Sequence, residues 1–272
     1  MPAASLGWRT DLMLLRLQGS VVDECADHLV VRMPHHPDHH YRWGNCLLLH
    51  AAPAPGTVAA WMDVFRREFP ATPRAGIGVD GIAGAAGDDA EARAAGLEPV
   101  RRTVLTASAL RPPEQPAAAA TVRRLESERD WASAVELWLS NNVDYDDEAY
   151  RGHAVGKVGL FRDLHERGLG AWFGAFLDGR LVSGLGVFSD GAGVARFQTV
   201  DTHPEFRKRG LASTLLYTAG RYALRELGAH TLVIVTDPAA GAIRIYRTLG
   251  FADAETQVQL QERPGSKILN EN

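Results

Sequence analysis

This sequence has few cysteines, no long apolar run and no excess of positive charge. Its 272 residues include two cysteines, Cys25 and Cys46, which excludes a disulfide framework, and no Cys-x-x-Cys pair that would begin a zinc site. No stretch approaches the roughly 18 consecutive apolar residues of a membrane span. Lysine and arginine total 29 against 33 acidic residues, a formal charge of −4, which argues against a protein that binds the nucleic-acid backbone. We therefore expect a globular cytoplasmic protein with no metal, nucleic-acid or membrane partner.

The first residues have no basic region ahead of their apolar stretch, which Arg16 and Gln18 interrupt, so no signal peptide is expected. Further along, the segment 111–120 reads RPPEQPAAAA, and its three prolines predict a semi-rigid linker. The predicted organisation is an N-terminal domain at 1–112, a linker at 113–120, a second domain at 121–262 and a tail at 263–272.

Apolar periodicity gives the second domain a readable order of helix, helix, three meandering strands, helix, strand, helix and strand. Ser127, with Asp130 three residues later, predicts the capped start of the first helix. The Asp178-Gly179 pair lies between two apolar runs and predicts a hairpin turn. Gly228 predicts the end of a helix that begins near Gly210.

The chemically informative segment is Val194–Leu227, where a predicted strand leads into a basic loop and then an amphipathic helix. The loop, Arg207–Ala212, places three cations just ahead of Gly210 at the helix start. A helix N-terminus presents unpaired N–H groups and the positive end of a dipole, and glycine permits close approach of a ligand. The segment predicts a pyrophosphate site, the alternative being a solvated basic helix start. A second Arg-x-x-Gly-x-Ala, at Arg247–Ala252, lies where a helix is expected to end and has no free helix N-terminus to offer.

With its surroundings, this segment resembles the GNAT N-acetyltransferase superfamily. The family's [Arg/Gln]-x-x-Gly-x-[Gly/Ala] loop is matched by Arg207–Ala212, the Pro-Glu-aromatic turn before it by Pro204–Phe206, and the later Tyr-x-x-x-Gly-Phe motif by Tyr246–Phe251. The order of elements over 121–262 is also similar. The resemblance implies an α/β fold with a mixed sheet, the GNAT fold, beside a smaller N-terminal α/β domain. Where the family often has asparagine before its last helix, this chain has Ala239, and Asp237 is expected to cap that helix instead.

The resemblance also implies acetyl-CoA as co-substrate. The backbone at Thr199 and Val200 would pair with the pantetheine amides and polarise the thioester carbonyl. The basic loop and the first turn of the helix would hold the pyrophosphate, with these residues as candidates: Arg207, Lys208, Arg209, Gly210, Leu211, Ala212 and Ser213.

For catalysis, the resemblance places Tyr246 as the proton donor to the leaving thiolate, the alternative being a tyrosine packed in the core. Asp201, at the end of the strand, is the first candidate for the general base and Glu205 the second, the alternative for both being a solvated carboxylate. Neither Cys25 nor Cys46 lies in the second half, so we expect direct attack by a primary amine in a ternary complex. The predicted enzyme is an N-acetyltransferase.

The amine acceptor is expected beside the acidic segment between the first two helices of the second domain. Asp144, Tyr145 and Asp147 would favour a cationic small molecule or peptide amine, the alternative being an acidic helix start that complements the helix dipole. The histidine-rich segment His35–His40 contains proline and no carboxylate set that completes a metal shell, so a flexible polar loop is expected.

Two other interpretations stay open. The chain could be a non-catalytic acyl-CoA-binding or sensing module, or a phosphate-binding protein, although the latter lacks a Gly-Lys-Ser/Thr trio. The N-terminal domain is interpreted as a degenerate GNAT-like copy, because Ile77–Leu105 repeats the strand–helix–Gly–strand order of the end of the chain. Such a domain would cover the acceptor cleft or form a homodimer interface.

Overall fold

The computed structural model describes residues 3–34, 42–142 and 147–262, which form two compact units. Of the described residues, the first unit contains those up to Val104, Val235–Pro238 and 254–262. The second contains Leu105–Ile234 and Ala239–Asp253. No helix in the described ranges is long and apolar enough to cross a membrane.

The elements follow one another in an alternation of helices and strands. The first part of the chain forms α1 (Leu6–Leu17), β1 (Val21–Glu24), β2 (His28–Arg32), β3 (Cys46–Leu49), α2 (Val58–Glu68), β4 (Gly76–Val79), α3 (Asp89–Ala94) and β5 (Leu97–Ala107). The second part forms β6 (Thr121–Arg124), α4 (Glu128–Leu139), α5 (Asp147–Glu166), β7 (Gly170–Leu177), β8 (Arg180–Phe188), β9 (Val194–Thr202), α6 (Leu211–Glu226), β10 (Thr231–Thr236), α7 (Ala242–Thr248) and β11 (Ala252–Glu262).

In the first unit the strands lie in the order β1-β2-β3-β4-β11-β5. β1, β2 and β3 are antiparallel, β3 and β4 are parallel, and β11 is antiparallel to β4. Helix α1 buries Trp8 and Leu12 against one face of this sheet, and α2 buries Met62 and Phe65 against the other. Successive side chains of β3 point to opposite faces of the sheet. Leu48 packs in the cluster that contains Trp8, and Leu47 packs in the cluster that contains Phe65.

In the second unit the strands lie in the order β10-β9-β8-β7-β6. β6 to β9 are antiparallel, and β9 and β10 are parallel. Helices α6 and α7 pack their apolar stripes on one face, and α4 and α5 cover the other. The mixed α/β fold expected from the resemblance is therefore confirmed.

Local sequence signals explain the boundaries of several elements. Ser127 and Asp130 form the expected capping box at the start of α4, and the Asp130 carboxylate also accepts two hydrogen bonds of 2.8 Å from Arg123. Asp178 and Gly179 both have positive φ, 48° and 77°, and turn the chain tightly from β7 into β8. The Asp237 expectation was wrong: the N-cap residue of α7 is Gly241, no side chain caps the helix, and the Asp237 carboxylate accepts a hydrogen bond of 3.1 Å from Arg102.

The same order of elements occurs twice. Three antiparallel strands, a helix, a parallel strand, a short helix and a final strand run from β1 to β5 and again from β7 to β11. The units differ from the predicted domains 1–112 and 121–262, because the first unit ends at Val104 and also takes Val235–Pro238 and the last strand. Val258–Gln261 of β11 pairs with Gly76–Val79 of β4, and this pairing groups the last strand with the first unit.

Candidate functional site

The start of α6 is built as an open helix N-terminus. Gly210 is the N-cap residue and has φ 72°, a left-handed conformation that suits glycine. No side chain caps the helix, and no acidic residue lies in its first turn, Leu211–Ser213. By contrast, Ser127 caps α4 and Asp88 caps α3. The positive end of the α6 dipole is therefore not neutralised by a capping carboxylate or hydroxyl among the described residues.

The predicted linker packs against this helix start. The carbonyl oxygen of Gln115 lies 2.2 Å from the position a Cβ would take on Gly210, so no other residue fits there without displacing the chain. The Ala117 N–H donates to Thr214 Oγ1 at 2.9 Å, and Thr214 Oγ1 donates to the Gly210 carbonyl at 2.8 Å. The sequence led us to expect a ligand close to Gly210. On the side where a Cβ would project, the group that lies close is the protein's own Gln115 carbonyl. This contact was not visible in the sequence because it joins segments that are far apart along the chain.

The three cations of the loop have different surroundings. Arg207 donates to the Thr202 carbonyl at 3.2 Å and to Asn141 Oδ1 at 2.6 Å, so it ties the loop to the segment after α4. Arg209 donates to the Glu205 carbonyl at 3.1 Å and lies over the Phe206 ring. Lys208 is exposed, with φ 60°, and has no hydrogen-bond or ion-pair partner among the described residues. Lys208 is therefore the loop cation that remains available to an anion.

The strand that leads to this loop is distorted where the resemblance places the pantetheine contact. Gly186 of β8 pairs with Gln198, but Gly184 pairs with Asp201, so two residues of β9, Thr199 and Val200, oppose a single residue of β8. Thr199 has φ 49°. This is a β-bulge, which turns backbone groups away from the regular ladder.

The parallel pairing of β9 with β10 is short. Within the described residues it joins Val194–Arg196 to Thr231–Val233 and goes no further, although β9 continues to Thr202. The bulge, together with the length of β9 that is not paired on its β10 side, leaves backbone N–H and C=O groups for an extended ligand.

Asp201 is the titratable group with the most altered environment in this region. It lies near the end of β9, partly buried, and burial raises the pKa of its carboxyl to about 6, while the nearby Arg207 acts in the opposite direction. Glu205, the second candidate base, is largely exposed on the loop. Burial and a raised pKa are features of general bases, so Asp201 stays the first candidate and Glu205 the second.

Tyr246 lies on α7 and is 4% exposed. Its ring centroid is 6.4 Å from that of Phe251, and it belongs to the core cluster of the second unit. Tyr246 therefore has a packing role in the core of the second unit, which is separate from its predicted role as proton donor.

The predicted acceptor residues cannot be placed as a group. Asp144 and Tyr145 lie outside the described residues, as does the segment His35–His40. Asp147 is the first residue of α5, and its side chain is also outside the description. Among the residues that the structure describes, no group of three or more histidine, cysteine, aspartate or glutamate side chains could hold a metal ion.

The first unit has a counterpart of the α6 start, and it is closed by a carboxylate. The helix concerned is α2, which follows Gly56, with φ 81°. Glu91 of α3 accepts hydrogen bonds of 2.8 Å from the N–H groups of Gly56 and Val58. The chain thus supplies its own anion at this helix start. Sequence reasoning missed Glu91, because nothing in the local pattern of α3 points to α2.

The comparisons with known proteins agree with this architecture. Residues 128–251 match the family model described as the acetyltransferase (GNAT) family. No curated protein matches the chain. Among solved structures, it is similar to a GCN5-related N-acetyltransferase from Kribbella flavida, at 19% identity and a TM-score of 0.65, over 97% of this chain and 98% of that one.

Two further solved structures are similar. One is a GCN5-related N-acetyltransferase from Sphaerobacter thermophilus, at 18% identity and a TM-score of 0.59, over 94% of this chain and 87% of that one. The other is a tandem GNAT protein from the clavulanic acid biosynthesis pathway, at 17% identity and a TM-score of 0.54, over 90% of this chain and 84% of that one. At these identities the likeness establishes the fold. The segment 128–251, which contains the bulged strand and the open helix start, is thus the part of the chain that matches the GNAT acetyltransferase family.

Proposed function

We propose that the second unit is an N-acetyltransferase that moves an acetyl group from acetyl-CoA to a primary amine. The observation that carries the proposal is the uncapped start of α6, which follows the bulged end of β9 in a domain of the GNAT family. Few helices leave their N-terminal amides without a cap unless a ligand or solvent satisfies them. An anion such as a pyrophosphate satisfies those amides and complements the dipole.

In this proposal the donor lies along β9 and ends at α6. The bulge at Thr199 and Val200 offers backbone groups to the pantetheine amides, and the N–H groups of the first α6 turn, from Leu211 to Ser213, hold the pyrophosphate. Lys208 adds a charge that has no other partner among the described residues. Arg207 and Arg209 act mainly by fixing the loop, because their guanidinium groups are already bonded to it.

The chemistry follows from the residues around the strand end. Asp201 accepts a proton from the acceptor ammonium, since its pKa of about 6 makes it an ionised base at neutral pH. The neutral amine then attacks the thioester carbonyl, so that a C–N bond forms and the C–S bond breaks. Tyr246 donates a hydrogen bond or proton to the departing thiolate.

A covalent enzyme intermediate has no place in this proposal. Cys25 and Cys46 both belong to the first unit, and burial raises the pKa of the Cys46 thiol, which keeps it a protonated, unreactive thiol. The amine therefore attacks directly in a ternary complex. The acceptor is proposed to be a cationic amine that the acidic residues Asp144 and Asp147, with Tyr145, attract.

The first unit is proposed to be a degenerate copy of the same fold that holds no acyl-CoA. Its element order repeats that of the second unit, but the Glu91 carboxylate already occupies the start of α2. One acyl-CoA per chain is the expected stoichiometry. A homodimer through this unit and a cytoplasmic location remain expectations.

The decisive experiment is a calorimetric titration with acetyl-CoA of the wild type, Ala212→Asp and Ala212→Asn. Gly210 is a poor choice for substitution, because any side chain there meets the Gln115 carbonyl whether or not a ligand binds. Ala212 is the second residue of α6, where aspartate complements the helix dipole and leaves the fold intact.

The added carboxylate should repel a pyrophosphate, whereas the isosteric asparagine should not. We expect Ala212→Asp to bind acetyl-CoA at least about fivefold more weakly than Ala212→Asn, as one like-charge contact costs about 1 kcal/mol or more near a surface. A wild type that binds should then be tested against a panel of amines for acetyl transfer. Binding without transfer to any amine would favour the acyl-CoA-sensing alternative. Equal binding by the two variants would show that the pyrophosphate does not lie at α6.

A further inference from the structure

Trp172, Gly184 and Asp201 lie on the same face of the sheet in the second unit. Gly184 of β8 is directly opposite Asp201 of β9, and Gly186 is directly opposite Trp172 of β7. Residues opposite one another in an antiparallel sheet project from the same face, and alternate residues of one strand do so too. This is the face covered by α4 and α5, because Ala171 and Phe173, the neighbours of Trp172, point into the α6 cluster.

The Trp172 indole lies across the two glycines of β8. A Cβ at Gly186 would be 3.0 Å from Cε3 of the indole, and a Cβ at Gly184 would be 3.0 Å from its Nε1. The N–H edge of the ring therefore lies over Gly184, the strand neighbour of Asp201. Phe161 of α5 packs against the indole, with ring centroids 5.1 Å apart, and holds it in this position.

The indole N–H is buried and has no hydrogen-bond partner in the part of the chain that the structure describes. Indole nitrogen can only donate, so it needs an acceptor. A buried donor left unsatisfied is costly enough to be rare in folded proteins. An acceptor that a side-chain rotation brings to the indole would satisfy this donor.

The Asp201 carboxylate is such an acceptor. It has no hydrogen-bond or ion-pair partner among the described residues, although its backbone carbonyl accepts a bond of 2.6 Å from Ser183 Oγ. Opposed Cβ positions lie about 5 Å apart. Since the indole nitrogen is 3.0 Å from the Gly184 Cβ position, rotation of the Asp201 side chain brings a carboxylate oxygen within reach of it.

Other charged groups surround this position. Arg207 of the loop acts on the Asp201 carboxyl directly. Arg196 is buried on β9, His203 follows that strand, and His153 and Lys157 are buried on α5. The β8 neighbours of Asp201, Ser183 and Gly184, carry no charge.

We propose that Trp172 is a positioning residue for Asp201, whose ionised carboxylate accepts a hydrogen bond from the indole N–H across Gly184. The bond orients one carboxylate oxygen and leaves the other for the acceptor amine. Burial disfavours the charged form of Asp201 and the indole favours it, so the two effects oppose each other. The role of the carboxylate as a base rests on the proposed function, but the hydrogen bond itself does not.

The test is a titration of the Asp201 carboxyl by carbon NMR of aspartate-labelled full-length protein, with no acyl donor present. The Asp201 resonance is identified by its loss in Asp201→Asn. Trp172→Phe keeps an aromatic ring but removes the N–H. We expect this variant to raise the titration midpoint of Asp201 by about one pH unit, because a bond to the charged form is lost. Trp131→Phe, which makes the same change at another buried tryptophan, should leave the midpoint unchanged.

A second variant tests the geometry without altering the indole. Gly184→Ala places a methyl group against the indole nitrogen and should raise the midpoint in the same direction, which keeps the proposal testable if Trp172→Phe does not fold. An unchanged midpoint in a folded variant of either kind, or an equal shift in Trp131→Phe, overturns the proposal. If the midpoint moves as expected but no amine is acetylated, the positioning role stands and the proposed function fails.

Discussion

Replacing Asp201 by asparagine should make the second unit more stable and, at the same time, inactive. The carboxyl of Asp201 has its pKa raised from 3.8 to about 6, mainly because it is buried. Burial penalises the charged form only, so the penalty is absent when the group is protonated. The asparagine side chain has nearly the same shape as the aspartate it replaces and carries no charge at any pH.

The sign and size of the stability effect follow from this shift. Well below pH 3.8, the ordinary pKa of the group, the carboxyl is protonated in both folded and unfolded chains, and the two proteins should be equally stable. The penalty of ionisation grows between about pH 4 and pH 6 and is complete above about pH 6. A shift of about two pKa units corresponds to roughly 2–3 kcal/mol. For a unit of this size that is a rise in Tm of roughly 5–10 °C in Asp201→Asn at about pH 7.5.

The measurement is thermal unfolding of both proteins at about pH 4.5 and about pH 7.5, with Asp178→Asn as the control. Asp178 is exposed in the β7–β8 turn with positive φ, a conformation that asparagine also accepts. The control should show no gain at either pH. Transfer activity, once an acceptor is known, should fall roughly 100-fold or more in Asp201→Asn, and the wild-type rate should decline below about pH 6. A Tm difference that is the same at both pH values would refute the argument from burial.

The remaining predictions concern the proton donor and the first unit. Tyr246→Phe should lower kcat roughly 100-fold and leave acetyl-CoA affinity within about twofold, measured by steady-state kinetics and calorimetry; unchanged turnover would leave Tyr246 with its packing role alone. Glu91→Gln should lower the free energy of unfolding of the first unit by about 1–2 kcal/mol, measured by chemical denaturation, because a neutral amide replaces a carboxylate that accepts from the Gly56 and Val58 N–H groups at the start of α2. If the pantetheine contacts are confined to β9, Glu91→Gln should still bind one equivalent of acetyl-CoA per chain. Two equivalents bound by the wild type would contradict the proposal that Glu91 closes the start of α2.

The sequence predicted the second unit well where the signal is local. The capping box at Ser127, the hairpin at Asp178 and the long helix after Gly210 each depend on residues within a few positions of one another. All three were confirmed, as was the mixed α/β fold. Helical and strand periodicities also gave the order of elements from α4 to β11.

Elements with weak local signals were missed. Helix α1 was treated only as an apolar N-terminal stretch, and the short strands β1 and β6 have no fully buried residue. An edge strand with one half-buried face shows little alternation of apolar and polar residues. Contacts distant in sequence, such as Glu91 with Val58 or Ala117 with Thr214, leave no trace in the local pattern at all.

The position of β11 has a consequence for how the chain is made. β11 lies between β4 and β5, and both of those strands are synthesised long before it. The first unit therefore emerges from the ribosome with a gap in its sheet. The edges of β4 and β5 that face this gap stay unpaired until the second unit has been translated and β11 is available. Exposed strand edges invite association with other chains, so this interval is when a nascent chain is most open to chaperones and to misassembly. For the same reason, a product cut at the 113–120 linker would lack the strand that closes its sheet, and the two units are expected to fold only as one translated chain.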